Sequence, residues 1–136
     1  MKSPILSVVN LTKRFGGLTA VNEVSFDISA GEALGLMGPN GAGKTTLVSV
    51  ISGQYRASSG TVSFQGREIS GLPPHSICRL GIARTYQIPH PFTHLTALHN
   101  VAVAAMFGQG IGKRDALVEA EKVLEVVDLS AKRNTP

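Results

Sequence analysis

The chain contains a single cysteine, Cys78, which excludes an intrachain disulfide and with it the stapled framework of small secreted domains. Charge is sparse as well: Asp, Glu, Lys and Arg make up 16% of the 136 residues, against 43% apolar. That balance excludes the highly charged, apolar-poor profile of disordered chains and points to a globular protein or a piece of one. Long apolar runs are missing. The longest, Val101 to Phe107, falls far short of the roughly 20 residues that a spanning helix needs, so any association with a membrane is expected to run through a partner protein. The opening Met1-Lys2-Ser3-Pro4 continues as a mixed polar segment, which together with the lone thiol fits a reducing cytoplasm. No stripe of one charge is present either. The net charge is +4, but the basic residues fall in separated pairs, Lys13-Arg14, Lys113-Arg114 and Lys132-Arg133, which argues against a nucleic-acid surface.

The patterning that is present predicts a β-rich opening. Ile5 to Leu11 is one strand, and Val24, Phe26 and Ile28 alternate with polar residues as a second, half-buried one, with a turn at Phe15-Gly16-Gly17 between them. Ala33 to Met37 is a continuous apolar run ending in a glycine loop, the pattern of a strand buried on both faces. Thr45 to Ile51 is apolar at helical spacing, with Gly53 as its C-terminal cap. Thr61 to Phe64 alternates, and Gln65-Gly66 predicts a hairpin returning through Arg67 to Ile69. Pro73-Pro74 opens a short helix over His75 to Leu80, Ile82 to Gln87 reads as extended, and Pro89 and Pro91 break regular structure after it. Two further helices are expected, Thr96 to Met106 with Thr96 as a cap, and Lys113 to Val127. In the second, Leu117, Ala120, Leu124 and Val127 form the apolar stripe, while Gly108 to Gly112 is the most flexible-looking stretch.

One segment carries chemistry. Gly38-Pro39-Asn40-Gly41-Ala42-Gly43-Lys44-Thr45 fits the spacing G-x-x-x-x-G-K-[ST], after an apolar run and before a helix. Glycines at these places let successive backbone N–H groups turn inward around an oxyanion, and the N-terminus of the following helix adds positive potential. Lys44 brings a full positive charge to the β and γ phosphates of a nucleoside triphosphate, and the Thr45 hydroxyl is placed to ligate magnesium. His90, His94 and His99 straddle Pro91 and share no helical face, and no Cys or acid completes a metal set.

Extended to Thr46, this loop closely resembles the Walker A loop of ABC-transporter ATPase subunits, in which proline and asparagine follow the first glycine. Asn10 to Gly16 looks like the opening strand of that family, whose aromatic residue, here Phe15, stacks on adenine. Ala83-Arg84-Thr85-Tyr86-Gln87 resembles its Q-loop, with Gln87 about forty residues after Lys44. The resemblance is nearest to the ATP-binding subunits of bacterial branched-chain amino acid importers. It is carried by Gly17-Leu18-Thr19-Ala20-Val21, by Leu80 to Gln87 and by Leu95-Thr96-Ala97-Leu98-His99-Asn100-Val101, and it spans Leu6 to about Leu129.

The resemblance implies an α/β fold: the N-terminal part of a P-loop NTPase, with an antiparallel β subdomain, an incomplete RecA-like core and the start of a helical subdomain. The β subdomain and core are expected over 1–87, and the Q-loop and start of the helical subdomain over 88–136. It implies ATP and Mg2+ as cofactors. Phe15, Val21, Gly38, Pro39, Asn40, Gly41, Ala42, Gly43, Lys44, Thr45 and Thr46 would bind nucleotide, Thr45 and Gln87 the metal, and Lys44 and Gln87 would serve catalysis. Expected partners are transmembrane permease subunits, a second ATPase subunit and, indirectly, a periplasmic solute-binding protein, at the inner face of the bacterial membrane. Three parts of the family's machinery are missing: an apolar strand ending in Asp-Glu, a Leu-Ser-Gly-Gly-Gln-like signature and a switch histidine. Leu129-Ser130 begins like the signature, but Ala131-Lys132 stands where its glycines would be. The chain is therefore expected to be part of a longer subunit, to bind ATP and not to hydrolyse it alone. Two other readings stay open, a non-hydrolysing nucleotide-binding module and an ABC-type ATPase without membrane partners.

Overall fold

Strands are stable only where a neighbour takes up their backbone hydrogen bonds, and the opening of this chain supplies those neighbours from close by in sequence. A computed structural model describes residues 3–136. The chain divides between Ile77 and Cys78 into two compact units.

In the first unit, β1 (Leu6–Phe15) and β2 (Leu18–Ile28) form an antiparallel hairpin around Gly16-Gly17, and β3 (Ser59–Phe64) and β4 (Arg67–Glu68) complete a four-stranded sheet in the order β2-β1-β3-β4. The β3–β4 turn is Gln65-Gly66, with φ of 50° and 76° at its two residues, the double left-handed geometry that matches strand twist. The β1–β2 ladder shifts register between Val8 and Leu11 and again between Leu11 and Lys13. At the first shift Asn10 takes φ 48° and donates its N–H to Ser25 Oγ at 2.7 Å. At the second, Glu23 takes φ 48° and donates its N–H to the buried Thr12 Oγ1 at 3.0 Å. At these two shifts the N–H that leaves the ladder thus finds a hydroxyl. The extra residue at Asn10 is why Val8 and Leu11, three apart rather than two, are both buried. Leu47 and Val50 of α1 (Lys44–Ile51) are buried in this unit with Val62, Ile69 and Ile77, and α1 packs on β1 and β2. The helix closes as a Schellman turn: Gly53, φ 77°, donates to Val50 O at 3.0 Å and Gln54 to Ser49 O at 2.8 Å.

The apolar run Ala33 to Met37 is not a strand. Among the described residues no strand pairs with it, and Leu34, Leu36 and Met37 are exposed. A run of this composition becomes a buried strand only between two neighbours. Ile82 to Gln87, expected to be extended, likewise lies outside any ladder. Helix α2 (Pro74–Arg79) begins on the second proline, at the position where a missing N–H costs nothing.

The second unit is built on α3 (Ala97–Gln109) and α4 (Lys113–Val126), packed together over Ala102, Ala116 and Ala120, with Leu98, Val101, Ala105, Met106, Ile111 and Leu117 around them. Thr96 caps α3 by accepting the His99 N–H at 3.3 Å. The Ala97 and Leu98 N–H groups, which no intrahelical bond can satisfy, donate to the carbonyls of Thr135 at 2.8 Å and Arg133 at 3.0 Å. The helix runs past Met106 into the stretch expected to be flexible, because the first left-handed residue that can stop it is Gly110, φ 70°. The buried stripe of α4 is Ala116, Ala120 and Leu124; Val127 is 53% exposed, since the helix ends at Val126 and its backbone turns away.

Candidate functional site

The glycine-rich loop enters α1 directly. Gly41 and Gly43 hold φ of 82° and 84°, left-handed values that admit glycine at no steric cost. A Cβ on Gly43 would overlap the Ala20 carbonyl oxygen and lie 3.5 Å from Val21 Cγ2, so the loop closes against the backbone of β2 only because this side chain is absent. Within the loop, Ala42 N–H donates to Pro39 O at 3.2 Å, and a Cβ on Gly38 would lie 3.3 Å from Ala42 Cβ.

Gly43 stands at the N-cap position of α1 and brings no side chain to it. Its carbonyl accepts the first helical bond, from Leu47 N–H at 2.8 Å. The N–H groups of Lys44, Thr45 and Thr46 therefore sit in the first turn, where no intrahelical acceptor exists. The Lys44 ammonium folds back across the loop and donates to the carbonyls of Gly38 at 2.6 Å and Pro39 at 2.7 Å. The result is a small ring with peptide donors and one full positive charge, and no carboxylate stands anywhere in Gly38 to Thr46. This donor set fits a polyphosphate. It also fits a magnesium ion that takes most of its oxygens from phosphate and water, because a single exposed hydroxyl, that of Thr45, is at hand.

A groove of about 380 Å³ lies beside the loop, lined by Thr19, Val21, Met37, Gly43, Lys44 and Leu47 among others. Val21 is buried there, under the loop. Phe15 does not line this groove. It stands at the end of β1, 41% exposed, with Tyr55 edge to face against it. Gln87 belongs to the second unit, where it is exposed in a bend. Nearby, the Arg84 guanidinium lies 4.7 Å from the centre of the Tyr86 ring. Among the described residues no group of three or more His, Cys, Asp or Glu is arranged to hold a metal. His99 Nδ1 is instead 2.7 Å from Thr96 Oγ1.

Three residues that organise these regions were given no role by the sequence, although Lys13 and Asn100 lie in segments that carry the family resemblance. Lys13 Nζ lies 4.8 Å from the centre of the Phe15 ring, and Tyr55 packs on the same ring. Asn100 on α3 accepts the Phe92 N–H at 2.8 Å, and its Nδ2 lies 3.1 Å from the carbonyls of Phe92, Leu95 and Thr96. It pins the segment before the helix. Its signals were its place one turn after the Thr96 cap and within the Leu95 to Val101 segment, neither of which foretold these bonds.

The ABC transporter family model matches residues 21–136. The chain is 46% identical over 110 residues to the probable branched-chain amino acid transport ATP-binding protein LivG of Archaeoglobus fulgidus, covering 81% of this chain and 42% of that protein. It is 34% identical over 138 residues to the probable LivG of Methanocaldococcus jannaschii, covering 93% and 54%. Among solved structures, an ATP-binding cassette of an ABC transporter from a twinned crystal aligns with a TM-score of 0.82 at 31% identity, over 98% of this chain and 58% of that one. The ADP conformation of such a cassette aligns with a TM-score of 0.80 at 31% identity, over 98% and 57%. The chain spans about half the length of the curated relatives it matches. With a glycine-rich loop closed on a strand by Gly43 and crossed by Lys44, and with these likenesses along its length, the chain belongs to the ABC transporter family, as part of its ATP-binding domain.

Proposed function

We propose that this chain is the nucleotide-binding part of an ATPase subunit that powers solute import, of branched-chain or related amino acids. The observation that carries the reading is the Lys44 ammonium held over the loop mouth by the Gly38 and Pro39 carbonyls, beside the helix N-terminus. A triphosphate offers stronger, charged acceptors at the same place, so Lys44 would leave the carbonyls for the phosphates. The loop from Gly38 to Thr46 would cradle those phosphates, Phe15 would stack on the base, and Val21 would shape the floor of the groove. Thr45, and Gln87 from the second unit, would hold the magnesium, which when bound neutralises phosphate charge. Lys44 and Gln87 are the residues assigned to catalysis, one stabilising charge and the other orienting water.

On this reading residues 1–87 are the β subdomain and phosphate-loop core, and 88–136 open the helical subdomain. Among the described residues no helix is long and apolar enough to cross a membrane. The exposed Ile88 and Phe92, next to Gln87, suit contact with a permease subunit at the inner membrane face, with a second ATPase subunit completing the motor and a periplasmic binding protein delivering solute. The 136 residues carry no candidate general base after an apolar strand, so alone they would bind Mg-ATP without turning it over. Single-turnover assays should find hydrolysis only in a chain extended to the length of the relatives, and turnover by the 136 residues themselves would refute that part. For the site, calorimetric titration of Lys44→Ala with Mg-ATP is expected to show a loss of more than about tenfold in affinity, the scale of a charge-assisted hydrogen bond. An unchanged affinity would overturn the assignment.

A further inference from the structure

Lys13, Phe15 and Tyr55 form a cluster whose geometry goes beyond a single stacking residue. Lys13 and Phe15 are two residues apart on β1 and share a face of the strand. The Lys13 ammonium lies 4.8 Å from the centre of the Phe15 ring and 5.8 Å from that of Tyr55. Tyr55 meets Phe15 edge to face, with centroids 5.2 Å apart and planes at 84°. Both supporting groups are themselves held. The Lys13 ammonium donates to the Arg56 carbonyl at 2.9 Å, and Tyr55 N–H donates to Ser49 O at 3.2 Å, within the turn that closes α1. One end of α1 therefore carries Lys44, and just past the other stands the ring that abuts Phe15. The helix that joins the two places is eight residues long, Lys44–Ile51, a length of about 12 Å.

This arrangement does two things to Phe15. It restricts a ring that would otherwise rotate about two torsions, so that less order has to be imposed when a base arrives. It also places a cation over the π-system, which draws down the negative charge of the ring face and lessens repulsion with an electron-rich base stacked on it. With 41% of its surface open, the ring still has area to offer. We propose that Lys13 and Tyr55 are positioning residues that hold Phe15 as a platform for the purine base of a bound nucleotide. They then set the base-dependent part of affinity, while the phosphate loop sets the rest. This rests on the reading of Phe15 as the base-stacking residue.

The test separates base from phosphate. Wild type, Lys13→Met, Tyr55→Leu, Tyr55→Phe and Phe15→Ala are titrated with Mg-ATP and with Mg-tripolyphosphate, which has no base, and thermal melting confirms that each variant is folded. Lys13→Met and Tyr55→Leu are each expected to weaken Mg-ATP by about two- to fivefold and to leave Mg-tripolyphosphate unchanged. Tyr55→Phe, which keeps the ring edge, should retain wild-type affinity. Equal losses for both ligands, or no loss for Mg-ATP while Phe15→Ala shows one, overturn the positioning role alone. If Phe15→Ala itself binds Mg-ATP like wild type, the stacking reading fails and the proposal falls with it.

Discussion

Strand β1 and the run Ala33 to Met37 are both rich in apolar residues, and both lead toward glycine, yet their fates differ. β1 has β2 on one side and β3 on the other, and its Leu11 is 0% exposed. The run before the glycine-rich loop has no ladder partner among the described residues, and its Met37 is 93% exposed. Composition was equally suited to burial in both. Lateral hydrogen-bond partners decided the outcome, because a buried strand without them would strand its amides and carbonyls away from water.

The contrast can be broken or sharpened by paired substitutions. Leu11→Ala should have the largest effect, about 3–5 kcal/mol lost in denaturant unfolding from a filled site, while Met37→Ala should stay within about 0.5 kcal/mol as an exposed change does. Comparable losses in the two would mean that the run is buried after all. Next comes glycine. Gly60 of β3, φ +83°, faces the bulge at Asn10, and a Cβ there would meet the Val9 carbonyl oxygen at 2.6 Å and the Asn10 carbonyl group more closely still. Gly60→Ala is expected to cost about 2–3 kcal/mol, combining left-handed strain with an opened ladder. Gly35→Ala, with nothing within 4 Å of its added Cβ, should leave the melting temperature unchanged or slightly raised through the unfolded state. A destabilised Gly35→Ala would show that backbone approaches the run closely.

Features legible in the sequence share one property, that their causes lie within a few residues of each other. The Gln65-Gly66 turn, the Gly53 stop, the Thr96 cap and the proline start of α2 all depend on local dihedrals and local donors, and each stands where the pattern placed it. The shape of the glycine-rich loop belongs with them, since Gly41 and Gly43 take left-handed dihedrals just before the helix they open. The bulges at Asn10 and Glu23 were not legible, because they answer to hydroxyls across the ladder, on Ser25 and Thr12. Ala116 joined the buried stripe of α4 because it packs on α3, and Val127 left it because the helix ends one residue before it. The company Phe15 keeps comes from Tyr55, forty residues along the chain, and from Lys13, whose reach over the ring its position in β1 did not announce.

What this sequence determined by itself was a set of short-range commitments: where the chain turns, where helices begin and stop, and where a glycine-rich loop with one lysine leads into α1. Only the tertiary structure decided which apolar run became a strand and how closely the loop approaches β2. It also decided which side chains steady the ring at the end of β1. Torsions and neighbouring donors are encoded residue by residue, whereas burial, close approach and ring packing depend on surfaces that meet only when the chain has folded.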